Sequence, residues 1–256
     1  MRCTKFLLAL HLLFCPDAQL WAQPAPALFG QRCFGGNGVD QGSVVIQTAD
    51  GQLLCLAYTS STNGDVGPSL GNGDAWVVRS TTTGTILGQW RLGGGDSDGG
   101  RGMVVLPDGG WVLAGYSHST DGIVGQNLGD SDGWVVRCNA DGEVLWSVIC
   151  GGSGYDSMDG IKATPDGGFI AVGITASEDG DITTPMGELD VLVMKLDAAG
   201  QQEWVKTYGG SLDDFSFDML ATEDGGALVG GSSYSADGHL TTNDGEIAVN
   251  WALDGH

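Results

Sequence analysis

The chain has 256 residues, 45 of them glycine, and a net charge of −22 from 32 acidic and 10 basic side chains. A surface this acidic is expected to repel nucleic acid and anionic lipid and to attract divalent cations, so no nucleic acid partner is expected. The glycine content, with few long helix-forming runs, points to an all-β chain with many tight turns, long enough for a substantial core.

The first 22 residues carry Arg2 and Lys5, an apolar run from Phe6 to Phe14, and Leu20-Trp21-Ala22. These are the three parts of a secretory signal peptide, with cleavage expected near Ala22 and the protein expected to be secreted or periplasmic. The apolar run is too short to span a bilayer, and no later stretch is long enough, so no transmembrane segment is expected. Phe14 is bulky where a lipid anchor on Cys15 would want a small residue. Four cysteines would remain, Cys33, Cys55, Cys138 and Cys150, with three connectivities open to them.

From Gly35 onward the chain repeats. Gly-Gly pairs, or their equivalents, start units at Gly35, Gly93, Gly151 and Gly209, a constant spacing of 58 residues. Each unit opens with an acid, Asp40, Asp98, Asp156 or Asp214. A short apolar strand follows, holding Val45, Met103, Ile161 or Met219. An Asp-Gly pair comes next (Asp50, Asp108, Asp166, Asp224), which predicts a tight hairpin of type I′. The second strand is the most apolar, Leu53 to Tyr58 in the first unit and Trp111 to Tyr116 in the second, as suits burial on both faces. A longer loop repeats Ser61, Ser119, Ser177 and Ser235 and ends in Asp74, Asp132 or Asp190, with Glu246 the nearest equivalent in the last unit. The third strand reads Ala75-Trp76-Val77-Val78-Arg79 in the first unit. After a turn at Gly84, Gly142 or Gly200 comes a fourth strand holding Trp90, Trp146 or Trp204.

Four antiparallel strands per unit make one blade, and their repetition makes a β-propeller. The units are 35–92, 93–150, 151–208 and 209–256. The last is one strand short, and Ala27-Leu28-Phe29-Gly30-Gln31-Arg32-Cys33-Phe34 matches the fourth strand at Thr85 to Leu92. The expected fold is therefore a single domain over 27–256: four blades, closed by the N-terminal strand completing the last, and monomeric. A half-ring that pairs into eight blades is the competing arrangement.

The phrases Pro107-Asp108-Gly109-Gly110-Trp111-Val112-Leu113-Ala114-Gly115-Tyr116 and Asp132-Gly133-Trp134-Val135-Val136-Arg137, closing with Asp141-Gly142-Glu143-Val144-Leu145-Trp146, resemble the propeller repeats of secreted bacterial proteins. The closing phrase is also similar to the tryptophan-docking repeat of quinoprotein propellers, which implies that the outer-strand tryptophan stacks on the next blade. No sorting tail of the kind common among the first group is expected after the repeats, which puts export by such a tail in doubt. It has too few blades and no adjacent cysteine pair for a quinone, so the resemblance implies no cofactor.

The column Asp40, Asp98, Asp156, Asp214 is expected to cap backbone N–H groups, and Arg79, Arg137 and Lys195 form a basic column beside it. Calcium is the one cofactor with any support, in the third long loop through Asp179, Asp181, Glu188 and Asp190. No catalytic motif is present, and no catalytic residue is assigned. The aromatic candidates for ligand contact are Tyr155, Phe215, Tyr234 and His118, placed in or beside turns. One inner-strand column varies freely: Ser43, Arg101, Asp159 and Phe217. These features favour a non-catalytic binding or scaffold protein for a protein or glycan outside the cytoplasm. The alternative is an extracellular enzyme cleaving a polysaccharide or an ester from the propeller axis.

Overall fold

The computed structural model describes residues 30–239 and 249–253. Residues 1–22, expected to be a signal peptide, residues 27–29 and Glu246 lie outside the described residues. By internal contacts the chain divides into Met1–Gln31 and Arg32–His256, and every strand described here belongs to the second unit.

Among the described residues, three four-stranded antiparallel sheets and one three-stranded sheet follow one another, each with its strands in chain order. The first contains β1 (Asp40–Gln47), β2 (Leu53–Thr59), β3 (Asp74–Ser80) and β4 (Ile86–Leu92). The second contains β5 (Asp98–Val105), β6 (Trp111–Ser117), β7 (Asp132–Cys138) and β8 (Val144–Cys150). The third contains β9 (Asp156–Ala163), β10 (Phe169–Thr175), β11 (Asp190–Leu196) and β12 (Gln202–Tyr208). The last has β13 (Asp214–Ala221), β14 (Ala227–Ser233) and β15 (Val249–Leu253). The first strands β1, β5, β9 and β13 touch in succession and so form the inner edge. This is the arrangement of consecutive propeller blades. Among the described residues no helix is long and apolar enough to cross a membrane.

The turns differ from the expected type I′. Gly51, Gly109, Gly167 and Gly225 have φ between 81° and 86°, while no non-glycine residue has positive φ among the described residues. Gly51 N–H donates to Thr48 O and Thr48 N–H to Gln52 O, both at 2.9 Å. The aspartate therefore sits in a type I turn, and only the glycine after it takes the left-handed conformation, a three-residue loop with a G1 bulge. Asp108 and Asp166 each accept the N–H two residues on, at 2.9 Å, which explains why aspartate recurs there.

Burial explains the apolar runs. The middle strands are packed on both faces, and three buried clusters each span one junction. One joins Leu54, Leu56 and Val77 to Trp111, Leu113 and Trp134; the next joins Val112 and Val135 to Met158, Phe169 and Leu192; the third joins Ile170 and Val193 to Met219 and Val229. Trp90 of β4 lies 6.2 Å from Trp111 in the next blade, and Trp146 of β8 lies 5.8 Å from Phe169. Both rings cover the space a Cβ would take on Gly142 and Gly200, so the outer-strand tryptophans do reach across to the next blade.

The closing strand is not found in the form expected. Residues 30–36 form no strand, and β15 has no strand on its outer edge among the described residues. Instead the segment from Arg32 lies against the first blade. Arg32 Cγ comes within 2.7 Å of the Cβ position of Gly84, and Phe34 joins Ala57, Val66, Trp76 and Val78. Arg32 stands one repeat before Trp90, which covers Gly142 in the same manner. The segment thus docks where an outer strand would, but without ladder pairing. Arginine in place of tryptophan leaves it less apolar area to bury.

Candidate functional site

The acid column is structural. Asp98 Oδ2 accepts Gly94 N–H at 2.6 Å and the Ser119 hydroxyl at 2.8 Å, and its Oδ1 accepts the Ser117 hydroxyl. Asp40, Asp156 and Asp214 repeat the bonds to glycine N–H (Gly36, Gly152, Gly210) and to the repeated serine (Ser61, Ser177, Ser235). The basic column instead serves the outer side of each blade. Lys195 reaches Asp166 at 2.8 Å and Glu203 at 3.2 Å, Arg137 reaches Asp108 at 3.6 Å, and Arg79 lies over Trp90.

The varied column has a structural cause that sequence did not expose. In every blade the register between first and second strand slips at this residue: between Gly42 and Val44, Gly100 and Gly102, Met158 and Gly160, and Ser216 and Asp218. Ser43, Arg101, Asp159 and Phe217 are therefore the extra residues of four β-bulges on the inner strands. A bulge frees one residue from the ladder and re-aims its side chain, which is why the column tolerates four unlike residues. A Cβ on Gly102 would stand 2.9 Å from Gly160 Cα, so glycine lets the inner strands of the second and third blades approach closely.

At this close approach a polar array forms. Arg101 Nε lies 3.3 Å from Asp159 Oδ1, its guanidinium covers Tyr116 at 5.3 Å from the ring centre, and Nη2 donates to Tyr155 Oη at 3.4 Å. Burial pushes the Asp159 carboxyl above its usual range, and Arg101 pulls against that rise. Tyr116 meets His118 edge to face at 5.8 Å, while His118 Nδ1 is 2.7 Å from Asp130 O. Two of the aromatic candidates, Tyr155 and His118, thus belong to one array held together by Arg101 and Tyr116. Tyr116 was missed because it reads as an ordinary strand residue. The other two, Phe215 and Tyr234, pair at 6.5 Å in the last blade, where the bulge residue Phe217 is 71% exposed.

The third-loop carboxylates are engaged with the backbone. Asp179 Oδ1 accepts Ser153 N–H at 2.6 Å, Asp181 Oδ2 accepts Gly151 N–H at 3.2 Å, and Asp190 Oδ2 accepts Met186 N–H at 2.7 Å, while Glu188 is exposed. Among the described residues no three His, Cys, Asp or Glu side chains are grouped to hold a metal ion. Asp179, Asp181, Glu188 and Asp190 are thus not grouped around one point in this arrangement. Cys33, Cys55, Cys138 and Cys150 are free thiols, and burial pushes Cys138 up to about 12.

No family model matches this chain, and no curated protein matches it. Among solved structures it is similar to the WD40 domain of Neurospora crassa Pan2, with 13% identity and a TM-score of 0.41. That match covers 84% of this chain and 60% of the other, so the chain spans three-fifths of the length of that domain.

Proposed function

We propose that this chain is a secreted, non-catalytic binding or scaffold module of the bacterial propeller-repeat type, working outside the cytoplasm after cleavage near Ala22. Its ligand, a protein or glycan, is taken at the inner edge of the blades. The observation that carries this reading is the bulge column: a rigid repeat releases one side chain per blade at a single register, and the four are a hydroxyl, a guanidinium, a carboxyl and an exposed aromatic ring. Unlike groups on a rigid frame suit recognition. Closure into a four-bladed ring by residues 27–34 belongs to the same proposal, supported by the way Arg32 repeats the docking of Trp90.

The enzymatic alternative needs more than this register offers. Glycoside cleavage ordinarily uses two carboxyl groups flanking the bond, and the bulge column supplies one, Asp159. A glycan and protein panel should therefore give binding without turnover. Arg101→Ala and Phe217→Ala should each weaken binding by roughly tenfold, as anchors in an interface do, and leave the unfolding midpoint nearly unchanged. Turnover of any panel member, lost in Asp159→Asn, would reverse the reading.

A further inference from the structure

The blade junctions carry a second acidic feature, made by two columns that lie far apart in sequence. Asp74, Asp132 and Asp190 open the third strands; Asp98, Asp156 and Asp214 open the first strands of the following blades. Across Gly93, Gly151 and Gly209 the two columns meet. A Cβ on Gly151 would collide with Asp132 Oδ1 and Asp156 Oδ2 at once, and one on Gly209 with Asp190 Oδ1 and Asp214 Oδ2. All six carboxyls are buried, at 2% exposure or less.

Their partners leave one oxygen over. Asp132 Oδ2 accepts Leu128 N–H at 2.6 Å, and Asp190 Oδ2 accepts Met186 N–H and Gly187 N–H at 2.7 and 3.3 Å. The opposing Asp156 and Asp214 are occupied by glycine N–H and serine hydroxyl donors. Oδ1 of Asp132, Asp156, Asp190 and Asp214, and of Asp74 at the first junction, has no donor among the described residues; what sets the first junction apart is its cation. The first junction is built differently: Arg91, 6% exposed, places Nε 2.9 Å from Asp74 Oδ2, with Nη2 on the same oxygen. At the equivalent positions the next two blades have Ile149 and Thr207, which bring no charge.

Two buried carboxylates side by side, without a cation, repel strongly, and one proton held between them converts the repulsion into a hydrogen bond. We propose that the second and third junctions each hold a shared proton, Asp132 with Asp156 and Asp190 with Asp214, so that these junctions tighten in mildly acidic solution and loosen as it turns alkaline.

The electrostatics agree. Burial pushes Asp132 up to about 6; Leu128 N–H and His118 oppose the rise, and the charges of Asp156 and Asp181 add to it. Burial also raises Asp190, against Met186, Gly187 and His239 and with Asp214. Asp74 is raised by burial too, but Arg91 pulls it down both by hydrogen bonding and by charge. A carboxyl raised in the folded state binds protons that the unfolded chain releases. Its contribution to stability is full below the unfolded value, about 4, and is lost as pH rises through the folded value.

The test is urea unfolding of the full chain between pH 4.5 and 8.5, with the Asp132 carboxyl followed by carbon-13 chemical shift. The wild-type midpoint should fall most steeply near pH 6, and Asp132 should remain protonated at pH 5. Asp132→Asn and Asp190→Asn, which supply a neutral donor in place of the shared proton, should raise the midpoint at pH 7.5 and flatten the slope. The exposed Glu178→Gln should keep the wild-type slope. The proposal fails if Asp132→Asn lowers the midpoint equally at pH 5 and 7.5, or if the carboxyl is ionised at pH 5. It also fails if millimolar calcium raises the wild-type midpoint at pH 7.5 but not that of Asp132→Asn, which would assign the pair to a metal. If the asparagine variants do not fold, the wild-type carboxyl titration decides alone.

Discussion

Trp111→Ala should lower the unfolding free energy by about 3–5 kcal/mol, the range for truncating a large buried aromatic. Trp111 is fully buried where the first and second blades meet, against Leu54, Leu56 and Val77, and Trp90 tilts onto it at 6.2 Å. Truncation opens a cavity in the middle of a junction and also removes the surface on which the outer strand of the preceding blade rests. Neither gap can collapse without moving a strand whose ladder is already complete. Trp111→Phe should cost much less, because Trp111 Nε1 is buried without a hydrogen-bond partner and its removal relieves an unsatisfied donor. Chemical unfolding with the denaturant slope held fixed measures both. A loss under about 1 kcal/mol for the alanine variant would mean that the junctions do not carry the stability.

Asp98→Ala should cost roughly 3 kcal/mol through a different mechanism. The carboxyl is the common acceptor for Gly94 N–H and the hydroxyls of Ser117 and Ser119, all in buried surroundings. Removing it strands three donors, and each unsatisfied buried group costs about 1–3 kcal/mol, the hydroxyls less because they can rotate toward other acceptors. Asp98→Asn keeps one acceptor oxygen and should recover part of the loss. Hydrogen exchange at Gly94 checks the mechanism directly: its amide should lose protection in the alanine variant and retain some in the asparagine one.

Both results depend on features that the sequence displays openly. The 58-residue spacing, the turn glycines and the acid at each blade start are visible because tight turns and buried caps admit few residue types. Other features stay hidden for physical reasons. An Asp-Gly pair fits a type I′ turn and a type I turn with a G1 bulge equally well, and only the hydrogen bonds at Thr48 and Gly51 decide between them. The column of Ser43, Arg101, Asp159 and Phe217 stands out by its variation, yet a bulge is a slip of register against the partner strand and leaves no mark in composition. Asp132 and Asp156 each belong to a visible column. Their pairing across Gly151 depends on how one blade is set against the next, which no local pattern records. The expected ladder for residues 27–34 came from matching side chains alone, and Arg32 shows that docking and backbone pairing can separate.

The buried clusters are shared two blades at a time, and this shapes how the fold gives way. Leu228 in the last blade is 41% exposed, whereas Leu54, Val112 and Ile170 at the same register are wholly buried. Cooperativity in such an array passes between nearest neighbours, so opening should begin where the described core is least covered, as at Leu228. Amides of β14 should exchange at lower opening energies than those of β6 and β10, making the second and third blades the last refuge of native structure.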